Sequence, residues 1–124
     1  MEKTIAIGGR ELKLKSSAAV PRLYRLKFRR DIYSDMSKLI KDFEKAEKAK
    51  KKSDGESSLP IDSLELFENL AYIFAKHADS SIPNTIDEWL EEFECFDIYE
   101  VLPEIIDLWL VDNQTMSTAK KVKD

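Results

Sequence analysis

Residues able to do chemistry are scarce in this chain, and their spacing works against the usual combinations. The single histidine is His77 and the single cysteine is Cys95. A zinc site takes about four ligands, which these two cannot supply, and no second His or Cys stands at ligand spacing. His77 falls inside an apolar stretch, where a structural or surface role is expected. Cys95 sits close to Phe93 and Phe96, a setting that predicts a small core residue and not a nucleophile. Gly8-Gly9 does not open a phosphate-binding loop after a strand; it fits the turn of a hairpin. The carboxylates Asp87, Glu88, Glu91, Glu92 and Glu94 are dense enough to suggest acid–base work or a cation site. They occupy the outward positions of an amphipathic segment whose other side carries Trp89, Leu90 and Phe93, and they lack the turn glycine and alternating ligands of a calcium loop. A solvated face is the expected role. The reading is of no enzyme: no catalytic residues, no cofactor and no metal.

Charge is segregated along the chain. Residues 1–52 hold 16 Lys/Arg against 7 Asp/Glu, a balance of +9. Residues 53–112 hold 16 Asp/Glu and only Lys76 as a base, giving −15; the last twelve residues add +2, for the net −4. Such a chain can fold one half on the other, associate head to tail, or offer an acidic face to a basic partner. The basic run over residues 22–52, with Tyr24, Phe28 and Tyr33 interleaved, has some features of a phosphate-binding surface. Leu23, Leu26, Phe28 and Ile32 read instead as core positions, and the chain is acidic with a pI near 5.2, so nucleic acid is disfavoured.

The elements that must position these residues follow from periodicity. Ile5, Ile7, Leu12 and Leu14 alternate about Gly8-Gly9, which predicts a β-hairpin over residues 4–15. Ser16-Ser17 are candidate caps for a helix over residues 18–30, with Pro21 in its first turn. Ile32, Met36, Leu39, Ile40 and Phe43 form one helical stripe, which stops at Phe43; a charged helix extension and linker are expected over residues 44–60. Residues 61–79 are apolar on more than one face, as a central helix would be. Thr85 with Glu88, and Asp97 with Glu100, have capping-box spacing and open two further helices, with a kink or break expected near Pro103. Residues 113–124 read as a flexible polar tail. The fold class is mainly α: an N-terminal β-hairpin followed by a bundle of about four to five helices, forming one domain over residues 1–112. Phe67, Leu70, Phe74, Trp89, Leu102, Ile105 and Ile106 are the expected core. No apolar run reaches the roughly 18 residues of a membrane span, the first residues lack a signal-peptide apolar stretch, and a lone cysteine fits a reducing cytosol.

One resemblance covers nearly the whole chain. The opening IAIGGRELKLKSSAAVPRLYRLKFRRDIYSD is similar to that of the tail assembly chaperones of long-tailed phages of Gram-positive bacteria. It carries a Gly-Gly hairpin, a Lys-Ser-Ser-Ala junction, and Arg25 and Phe28 leading to Asp31. The stretches AYIFAK and TIDEWL, and a last apolar helix with Trp109, continue the likeness. The resemblance implies a chaperone that binds the tape measure protein and keeps it soluble during tail assembly, with the tail tube protein as a second candidate partner and self-association open. It implies the host bacterial cytoplasm, absence from the mature virion, and no catalytic residues. It also implies a longer frameshifted form, for which Lys120-Lys121 marks a place where an A-rich slippery run could lie. Exposed members of the set Tyr24, Phe28, Trp89, Phe93 and Trp109 are the expected partner contacts, because large aromatics dominate binding energy. A structural tail or connector component and a small nucleic-acid-binding regulator are the alternatives.

Overall fold

Gly8 and Gly9 take φ angles of 51° and 78°, the paired positive values of a two-residue type I′ turn. They join β1 (Glu2–Ile7) to β2 (Arg10–Lys15) in an antiparallel pair with Ile5 opposite Leu12 and Ile7 opposite Arg10. Alternation then puts Ile5, Ile7, Leu12 and Leu14 on one face, and the last three are buried. Two strands alone are marginal in water. Here the computed structural model lays β2 on α3 (Ile61–Ala78) and β1 on α5 (Ile98–Lys123). It describes the backbone of residues 1–52 and 59–123, and the side chains of residues 1–49 and 59–111.

α1 (Val20–Phe28) has Pro21 in its first turn, where the missing N–H is no loss. The expected Ser16-Ser17 cap is not used: the N-cap is Ala19, without a side-chain cap. Ser17 Oγ instead accepts the Ala19 N–H at 3.2 Å and shapes the turn ahead of the helix, while Ser16 is buried. α1 ends at Arg29, a non-glycine residue at φ 59° whose N–H bonds back to the Arg25 carbonyl. α2 (Ile32–Lys52) buries Ile32, Met36 and Leu39, with Ile40 and Phe43 packed beside them. The stripe does not stop at Phe43. Ala46, one turn on, is only 6% exposed. Of the linker read over residues 53–60, residues 53–58 lie outside the described residues, and Leu59 is buried.

α3 is the central helix that its two-sided apolar pattern requires; it contacts β2, α1, α2, α5 and α4 (Ile86–Leu90). Thr85 caps α4 as its spacing predicts, accepting the Glu88 N–H at 3.2 Å and donating to Glu88 Oε1 at 3.0 Å. At the start of α5 the Asp97 carboxylate accepts the Tyr99 N–H at 2.9 Å. Of the kink or break expected near Pro103, no break occurs: α5 runs on through the proline, which is exposed. Its backbone stays helical to Lys123, through the stretch read as a tail, where no Gly or Pro interrupts the sequence. Phe67, Leu70, Phe74, Trp89, Leu102 and Ile105 are buried as expected, and Ile106 is half-buried at the edge of the same core. Among the described residues, no helix is long and apolar enough to cross a membrane.

Candidate binding grooves

Three of the five aromatics expected as partner contacts are core residues. Tyr24 is fully buried with its hydroxyl on Asp35, and Trp109 is buried against the ring of Tyr33 at 5.2 Å. Trp89 is enclosed by Tyr72, Phe93 and Phe96, with ring centroids 5.2–5.6 Å away. Such rings carry the largest apolar area in the chain, and a domain this small needs them inside. Phe28 and Phe93 are half-buried; Phe28 leans on Tyr24, and the Arg10 guanidinium lies 4.8 Å from the Phe93 ring centre. Two expectations reverse in the other direction. Leu26, read as core, is 50% exposed, and Cys95 is exposed. Helical spacing tells which side chains share a face, not whether anything covers that face.

Leu26 lines a groove of about 530 Å³ between α1 and α3. Leu23, Leu26, Tyr72 and Ile73 supply its apolar lining, and Lys27, Lys76, His77 and Asn84 its polar rim. The sequence brings these together simply. Leu23 and Leu26 are one turn apart on α1, and Tyr72, Ile73, Lys76 and His77 span little more than a turn of α3. The loop after α3 closes one end and is held by lysines. Lys27 donates to the Asn84 carbonyl at 2.7 Å and lies 5.4 Å from the Tyr72 ring centre. Lys76 donates to the carbonyls of Ser80 and Ile82 and to Asn84 Oδ1, and the Tyr72 hydroxyl donates to the Pro83 carbonyl at 2.5 Å. The lone base of the acidic half therefore satisfies carbonyls that no helix or strand would satisfy.

The electrostatics of this groove are cationic. His77 Nε2 lies 2.8 Å from Ser17 Oγ. Burial, then the charges of Lys15 and the N-terminal amine, hold its pKa below the ordinary imidazole value, so the ring is neutral at pH 7. Burial, with the charge of Glu88, pushes the Tyr72 hydroxyl up, and it stays a neutral donor. No carboxylate lines the groove. Among the described residues, no group of three or more His, Cys, Asp or Glu is placed to hold a metal. What the lining offers is an apolar floor and two cations, the materials for holding an amphipathic segment.

The charge segregation of the sequence is partly resolved inside the molecule. Lys3 pairs with Glu104 and Asp107, Arg10 with Glu92 at 2.6 Å, and Lys38 with Asp62 at 3.4 Å, each joining the basic half to the acidic one. No protein-family model, curated protein or solved structure matches this chain.

Proposed function

We propose that this chain is a phage tail assembly chaperone that holds the tape measure protein through the groove between α1 and α3. The resemblance supplies the partner, and the groove is the observation that supports the reading. It is an apolar floor left open between two helices, with Leu26 half exposed in its lining. A tape measure protein is a very long helical chain whose apolar stripes aggregate when naked. A helix laid on Leu23, Leu26 and Ile73 would bury such a stripe, at roughly 1.5–3 kcal/mol for each large side chain taken fully out of water. Association itself costs several kcal/mol, so a few anchors give a reversible complex, as a chaperone that must leave requires. Lys27, whose ammonium keeps donors beyond its bond to the Asn84 carbonyl, favours stripes flanked by Asp or Glu.

Co-expression tests the reading. A tape measure protein that is insoluble alone should remain in solution and co-purify with this chain, and the chain should be missing from purified particles. Leu26→Asp should abolish retention with little change in thermal stability, because the residue is half exposed already. A tape measure protein that is soluble alone and forms no complex would refute the chaperone; an intact complex with Leu26→Asp would move its site elsewhere.

A further inference from the structure

A second groove opens where the start of α3 meets residues 90–98. Its floor is Leu64, Phe67, Leu90, Phe93 and Phe96, and its volume is about 250 Å³. That is below the roughly 300–1,000 Å³ of a small-molecule pocket, and it suits an anchoring side chain or two of a peptide. Apolar surface continues beyond it along α3: Leu64 is 37% exposed, and Ile61, one turn earlier, is 84% exposed. The rim is acidic. Glu68 and Glu94 line the groove, and neither forms an ion pair among the described residues. Glu68 is half-buried; desolvation, then the charges of Glu65 and Asp87, raise its pKa, so its charged form lacks compensation. Some carboxylates of the same half are paired within the fold. Glu92, Glu104 and Asp62 each meet a cation from the hairpin or α2. Asp87, Glu88 and Glu91 likewise meet no cation among the described residues, but Glu68 and Glu94 are the two acids that line this open apolar floor.

We propose that this groove docks a cationic amphipathic segment of a partner protein, with a large apolar side chain seated on Phe67, Leu90 and Phe96 and a neighbouring Lys or Arg reaching Glu68 and Glu94. The apolar stem of such a cation packs over Leu64 and Leu90 while its head meets the carboxylates. Nucleic acid is repelled by the same charges. The site is independent of the tape measure reading: it lies at the other end of α3 from the first groove, and it selects the opposite charge.

The test uses the full chain and two fluorescein-labelled amphipathic helical peptides, one built of Leu, Ala and Lys and its twin with Glu in place of Lys. Fluorescence anisotropy should register binding of the Lys peptide and none of the Glu twin. Glu68→Gln combined with Glu94→Gln should weaken binding about tenfold or more, as loss of charge-assisted contacts does. Leu64→Ser should also weaken it, whereas Glu11→Gln on the hairpin and Leu26→Asp in the first groove should leave it unchanged. Cys95 is on the rim, is exposed and is the only cysteine, so a bimane attached there gives a second reading, and its emission should shift blue when the Lys peptide seats. No binding of the Lys peptide, equal binding of the Glu twin, an equal loss with Glu11→Gln, or an unmoved bimane signal would each overturn the proposal.

Discussion

Asp35 is buried to 4% exposure in the first turn of α2, and three hydrogen bonds converge on its carboxylate. The Tyr24 hydroxyl donates at 2.7 Å, Arg30 Nε at 2.7 Å and Arg30 Nη2 at 2.9 Å. Burial alone pushes the Asp35 carboxyl pKa up, but the Arg30 fork and the Tyr24 hydroxyl outweigh it, and the net shift is downward. Burial, then its bond to Asp35, pushes the Tyr24 hydroxyl well above the ordinary phenol range. With a folded pKa below the unfolded one, Asp35 contributes stability that is fully present above about pH 4 and lost as pH falls through the folded value. Asp35→Ala should cost about 2–3 kcal/mol in urea unfolding at pH 7, because it orphans a buried hydroxyl. Arg30 is half exposed and water can serve it, which keeps the figure below that of a fully enclosed pair. The gap between variant and parent should narrow near pH 3; a gap independent of pH would contradict the assignment. Nothing in the sequence announced this lock. Tyr24 and Phe28 were legible as an apolar pair, but the meeting of Arg30 with Asp35 depends on the left-handed turn at Arg29, a conformation with no signal at an arginine.

Elements were more legible than contacts. The hairpin, the central α3 and the Thr85 cap could each be read from local pattern, because alternation, helical period and capping chemistry act over a few residues. The charged extension of α2 was legible too, by propensity, but the burial of Ala46 on it and the unbroken run of α5 through Pro103 were not. The first groove was hidden as well: Leu23 and Leu26 have core spacing, and only the placement of α3 leaves Leu26 uncovered. α4 puts the local signal to the sharpest use. Its five residues are too few to be helical alone, yet they place Trp89 at the centre of the aromatic cluster that underlies both grooves. Thr85→Ala should therefore cost about 1 kcal/mol, a typical value for a lost cap. Hydrogen exchange should localise the loss to residues 86–91; a loss spread evenly over the chain would show that the cap does not govern this segment.

A basic stretch is folded over an acidic one around a shared apolar core, and among the described residues the ion pairs that join the two are few and mostly exposed. Lys3 and Arg10 fasten the hairpin to α5 and to the exit of α4, across 104 and 82 positions of sequence. Arg10 is the more versatile. It donates to Glu92 Oε1 at 2.6 Å and to the Glu92 carbonyl at 3.1 Å, and it covers the face of Phe93. Exposed ion pairs contribute only about 0.2–1 kcal/mol, whereas a cation over an aromatic ring adds about 0.5–1 kcal/mol at an exposed site. Arg10→Ala should accordingly cost about 1–2 kcal/mol, more than Glu92→Ala, which leaves the carbonyl and ring contacts in place. In the double-mutant cycle the coupling between Arg10 and Glu92 should be about 0.5–1 kcal/mol at low salt and should shrink at about 1 M NaCl, where the Debye length is near 3 Å. The salt-resistant remainder of the Arg10→Ala cost measures the ring and carbonyl contacts. If Arg10→Ala and Glu92→Ala cost the same and both effects vanish in salt, the hairpin is held to α4 by charge alone, and the apolar face of Leu12 and Leu14 on α3 must do the rest.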